Sequence, residues 1–73
     1  MVIDLVITKT DDGYSADVPS ISGFECWAPG EDEAIEKSLE LVSFYLNLPV
    51  KEIKVDRARR EGNKVINKLI FQK

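Results

Sequence analysis

The sequence predicts an α+β domain of order β-β-β-α-β, with one mainly antiparallel sheet covered on one face by a single helix. Three observations carry this expectation. Residues 1–18 alternate apolar and polar side chains on either side of an Asp-Gly pair, the period of a half-buried hairpin. Residues 31–48 place apolar side chains at steps of three and four, bounded by Pro29-Gly30 and Pro49. Residues 65–71 form a further apolar, β-branched run.

In the first strand Ile3, Leu5 and Ile7 share one side, and Val2, Asp4, Val6 and Thr8 the other. Asp12-Gly13 suits a two-residue hairpin loop. That loop sets Asp11 opposite Tyr14, Lys9 opposite Ala16 and Ile7 opposite Val18, which puts the apolar sets on one face. Pro19 has no N–H to give a ladder and ends the second strand. Residues 20–23 connect to a third strand, where Phe24, Cys26 and Ala28 alternate with Glu25 and Trp27.

Gly30 is the expected N-cap of the helix, and Glu31, Asp32 and Glu33 fill a first turn whose dipole favours carboxylates. Ile35, Leu39, Val42 and Leu46 make the apolar stripe, flanked by Ala34, Ser38, Leu41 and Tyr45; Glu36, Lys37, Glu40, Ser43 and Asn47 lie opposite. Pro49 limits the helix to about residue 48. Beyond it Ile53, Val55 and Arg57 share a strand parity, and residues 59–63 read as an exposed turn. Residues 65–71 read as a strand, Leu69 and Phe71 to one side and Ile66 and Ile70 to the other, although Val65, Ile66, Leu69 and Ile70 also suit a helix. A right-handed crossover would lay this strand beside the first and parallel to it.

The 73 residues make one domain, in two parts: 1–48, and a basic segment over 49–73 that ends in a strand. A chain this short buries only about 60% of its unfolded surface, so a partner or a second copy is the usual remedy. Cys26 is the lone cysteine and there is no histidine, which excludes a Cys/His zinc site and imidazole catalysis. No cofactor or metal is expected. Residues 1–9 hold Asp4 and no basic start, unlike a signal peptide, and no run reaches the length of a membrane span; a reducing, cytoplasmic setting is expected. Charge is polarised. Residues 1–50 carry a net of −8 and residues 51–73 a net of +5. Two differently charged surfaces follow, unless the basic tail folds back on the acidic helix.

The order Gly13-Tyr14-x-Ala16-x-Val18-Pro19-x-Ile21-x-Gly23, then Glu33-Ala34 opening a helix ten residues beyond Phe24, resembles the HicB antitoxin family of toxin–antitoxin systems. The resemblance covers residues 1–48. Ser22 stands where the family prefers proline, Phe24 where it prefers cysteine, and Ala28-Pro29-Gly30 where it has Gly-Asp-Thr. It implies a partial RNase H-like fold and a non-enzymatic antitoxin that covers a small basic mRNA-cleaving toxin of the HicA family. The family's usual DNA-binding segment does not fit the residues after Leu48.

An RNase H-like fold directs attention to Asp4, Glu36, Glu40 and Asp56 as metal ligands, but the expected register sends Asp4 away from the helix and Glu36 and Glu40 outward from it. No catalytic residue is expected. Glu31, Asp32, Glu33, Glu36 and Glu40 are the candidate face for a basic partner, with Trp27 as an apolar anchor beside Val2 and Val6 on the uncovered sheet face. Phe44, opposite the helix stripe, is a further candidate contact. Arg57, Arg59, Arg60 and Lys64 form a weaker candidate for nucleic acid, or a solvated loop. Cys26 reads as a buried, inert thiol. Three functions stay open: the antitoxin, a stand-alone homodimer closed through its open sheet face, and a nucleic-acid-binding module.

Overall fold

The computed structural model describes residues 1–72, with the side chains of all but Arg57 and Ala58. These residues form strands β1 (Val2–Thr10), β2 (Gly13–Asp17) and β3 (Cys26–Ala28), helix α1 (Glu31–Leu46), a 3-10 turn at Val50–Glu52, and strands β4 (Lys54–Glu61) and β5 (Lys64–Ile70). One sheet runs in the order β3-β2-β1-β5-β4 with every neighbouring pair antiparallel. The α+β class and the single helix on one antiparallel sheet are as the sequence indicates. The strand count and the direction of the last strand are not. Residues 54–61, where Val55 and Arg57 carry the strand parity noted above, form a full strand that the expected β-β-β-α-β order lacks, and that extra pass reverses β5, so it lies beside β1 antiparallel rather than parallel.

The first hairpin closes through Asp11-Asp12, not Asp12-Gly13: Thr10 pairs with Gly13, Lys9 with Tyr14 and Ile7 with Ala16. Each partner moves by two residues from the expected register, and an even step leaves every side chain on its face. The Thr10 hydroxyl, 3.0 Å from the Gly13 carbonyl oxygen and 3.1 Å from Asp12 Oδ1, ties the loop. Gly13 meets a different need. A Cβ there would stand 2.6 Å from the Ala28 carbonyl oxygen and 2.6 Å from the Trp27 ring, so the glycine lets β3 and its indole approach.

Strand β3 is shorter than expected because Phe24 leaves it. Two successive turns, Ile21 N–H to Val18 O at 2.9 Å and Phe24 N–H to Ile21 O at 3.3 Å, carry that ring into the core beside Tyr45. Helix α1 ends at Leu46, two residues early. Asn47 adopts the left-handed conformation (φ 58°, ψ 44°), its N–H bonds Phe44 O, and Leu48 N–H bonds Ser43 O, the paired bonds of a Schellman end. Its buried line is Ala34, Ser38 and Val42; Ile35, Leu39 and Leu46 flank it half-buried, while Leu41 and Tyr45 are exposed. Small side chains beneath the axis let the backbone sit close to the sheet.

The expected turn at 59–63 narrows to Gly62-Asn63, with Gly62 at φ +59° in the first loop position. Asn63 then bonds across to Lys9, whose N–H meets the Asn63 carbonyl at 2.8 Å. At the far end of the same ladder Phe71 N–H bonds the Met1 carbonyl at 3.0 Å.

The helix lies over β1, β2 and β3. Leu5, Ile7, Val18, Val42 and Leu69 are fully buried between the layers, with Phe24, Ile53, Val65 and Phe71 nearly so. Each such side chain contributes about 1.5–3 kcal/mol, against a domain stability of about 5–15 kcal/mol, so no central member is dispensable. Two polar groups share this core. Asn67, paired with Leu5 across the ladder, is 1% exposed, and neither its amide nitrogen nor its oxygen has a partner among the described residues; nor does the buried Ser38 hydroxyl. No helix of the described residues is long and apolar enough to cross a membrane.

Candidate functional site

Helix α1 positions the acidic candidates, and the sheet decides which of them face out. Gly30 caps the helix without a side-chain bond, leaving the first turn's N–H groups to the dipole-compatible carboxylates of Glu31, Asp32 and Glu33. Glu31 turns inward. Its side chain is only 19% exposed and meets Arg60 at 3.5 Å, so it leaves the candidate face and ties the basic tail to the helix. Glu33 is exposed and lies 3.9 Å from Lys37, one turn on.

Asp32, Glu36 and Glu40 are exposed at successive four-residue steps, and Phe44 continues the same row at 82% exposure. Four residues make one helical turn, so these side chains form a single ridge: three carboxylates ending in an aromatic ring. Phe44 packs edge-on against Tyr45, ring centroids 6.3 Å apart and planes at 79°. Like charges at this spacing oppose the helix by a few tenths of a kcal/mol per pair, so the row is maintained at a small cost in stability.

Trp27 does not join that ridge. It lies on the opposite face of the molecule, paired with Ser15 and seated over Gly13 at 46% exposure. The expectation that it anchors the same contact as the helix carboxylates is therefore corrected: the two features are separated by the full thickness of helix and sheet. The open face it borders is uncovered among the described residues, because β4 and β5 widen the sheet rather than folding over it. Ile66 and Ile70 pair with Val6 and Val2 there, an apolar centre that sequence reasoning left as two unconnected halves.

Between those two pairs Lys68 Nζ contacts Asp4 Oδ1, and Asp56 pairs with Lys68 from the other side. Asp4 and Asp56 thus flank a lysine, while Glu36 and Glu40 stand on the helix. No group of three or more Cys, Asp or Glu among the described residues is placed to hold a metal ion.

The basic candidates divide between the two faces of the sheet. A bulge between Arg57 and Arg59 resets the strand's parity. Arg59 then lies on the open face, 2.8 Å from Glu61, whereas Arg60 turns toward the helix and Glu31. Lys64 lies on the open face opposite Thr8. The Arg57 side chain lies outside the described residues. Cys26 has the expected inward parity but is half-buried rather than buried. No family model, no curated protein and no solved structure matches this chain.

Proposed function

We propose that this chain is a non-enzymatic, cytoplasmic protein-binding module of the HicB-like kind, which neutralises a small basic mRNA-cleaving toxin of HicA type by occupying its RNA-contacting surface. The ridge of Asp32, Glu36, Glu40 and Phe44 carries this reading. Carboxylates at regular spacing meet cations arranged for phosphates, steer the encounter, and leave one exposed ring to fill an apolar recess. The motif at Tyr14, Ala16, Val18, Pro19, Ile21 and Gly23 supports the same reading. The antiparallel β5 departs from the partial RNase H-like order anticipated above, so the proposal rests on motif and ridge rather than on topology.

The test is co-expression with the product of the adjacent reading frame, scored by co-purification and rescue of growth. Glu40→Lys and Phe44→Ser are each expected to weaken the complex at least about tenfold, the former with a reduced salt dependence. A neighbour that is neither toxic nor bound would defeat the proposal, as would a complex indifferent to both substitutions.

A further inference from the structure

We infer that the open face of the sheet is the docking surface for a second copy of this chain, in a two-fold dimer whose axis runs along the β1–β5 boundary. The face is built as a self-complementary patch. Its centre lies on the two middle strands, where Val2 and Ile70 form one apolar pair and Val6 and Ile66 another. Val2 is 57% exposed at the start of β1. The charges between these pairs, Asp4 and Lys68, are already matched within the chain. The patch therefore has an apolar centre, neutralised internally, with a polar rim, as protein interfaces do.

Charge distribution selects a second copy over other occupants. On this face the β4–β5 half presents Lys54, Arg59, Lys64 and Lys68 against Asp56 and Glu61. The β1–β2 half presents Asp4 and Asp17, with no cation on this face among the described residues. One half is net positive, the other net negative by the same amount. A two-fold axis parallel to the strands lays each half over its opposite. It also brings Val2 over Ile70, Val6 over Ile66, and Asp4 of one copy across from Lys68 of the other, with the sheets aligned about 10 Å apart as in a sandwich.

The other surfaces do not serve this pairing. Two acidic helix ridges repel each other. Edge β4 is bulged and carries six charged residues in eight, and edge β3 is three residues long and followed by Pro29, both features that discourage strand addition.

The experiment is sedimentation equilibrium of residues 1–73 near 100 µM and on dilution, with no partner protein present, so its outcome is independent of the toxin-binding proposal. The expected mass is twice the 8.2 kDa of the chain. Val2→Lys, at an exposed strand start, is expected to raise the dimer dissociation constant at least about tenfold with an unchanged circular dichroism spectrum. Asp4→Lys is expected to do the same by facing lysine with lysine. Adding Lys68→Asp restores both the pair within the chain and the pair across the axis, and returns the dissociation constant to within about threefold of the parent. A monomeric parent chain overturns the proposal. So does a dimer that survives Val2→Lys and Asp4→Lys, or one that the double exchange fails to restore although the chain is folded.

Discussion

Gly13 shows how one absent side chain fixes the position of a large one. A methyl group at that site would overlap both the Ala28 carbonyl and the Trp27 ring, and the strand pairing leaves neither much room to retreat. Gly13→Ala is expected to cost about 1–3 kcal/mol, the range for forcing extra volume into packed structure, and to push the indole into water. Trp27 is the only tryptophan, so a lower melting temperature with a red-shifted emission reports both effects at once. Asn67 is the opposite case, a polar group whose removal helps. Its buried amide has no partner for nitrogen or oxygen among the described residues, and such a group loses about 1–3 kcal/mol of solvation on folding. Asn67→Leu, similar in size and facing Leu5, is expected to raise the urea midpoint by an amount equivalent to about 1 kcal/mol or more; a lower midpoint would show that the amide is satisfied in solution. Neither residue could be read correctly from local sequence. Gly13 looked like a turn glycine because its real neighbours, on β3, lie more than a dozen positions away. Asn67 looked like any polar residue in a strand because nothing nearby says which face is covered.

At the level of elements, legibility followed the number of sides each one buries. Strand β1 was clear because Ile3, Leu5 and Ile7 alternate with more polar residues, and its face assignments held through a two-residue change of register. Strand β4 was not, because an edge strand of charged residues leaves only Ile53 and Val55 to mark its inner face before the bulge breaks the parity. Missing that strand is also why β5 was expected to run parallel. The helix was legible in existence and start. Its end was set by Asn47, a residue able to enter the left-handed region, rather than by the proline two places later. The acidic ridge was legible as composition, whereas the inward turn of Glu31 needed Arg60 from β4. Along that ridge stability and recognition are expected to oppose each other. Glu36→Lys replaces two like-charge neighbours, Asp32 and Glu40, with two attractive ones, which should stabilise the helix by about 0.5–1 kcal/mol. The same change should weaken a cationic partner, so denaturant midpoint and affinity are expected to move in opposite directions.

For the whole molecule, the governing fact is that helix ridge and open sheet face lie on opposite sides of two layers. Each can be occupied without obstructing the other, so a dimer joined through its sheets would present two outward ridges. The sheet order has a consequence of another kind. Strand β5, the last of the described strands in chain order, does not sit at a margin: it is inserted between β1 and β4, and Val2 finds its neighbour at Ile70. Until residues 64–70 leave the ribosome, β1 has one bare flank and β4 has nothing to pair with. Local hairpins and the helix form early; closure waits for β5, and a translating ribosome carries a half-sheet with its greasy interior partly open.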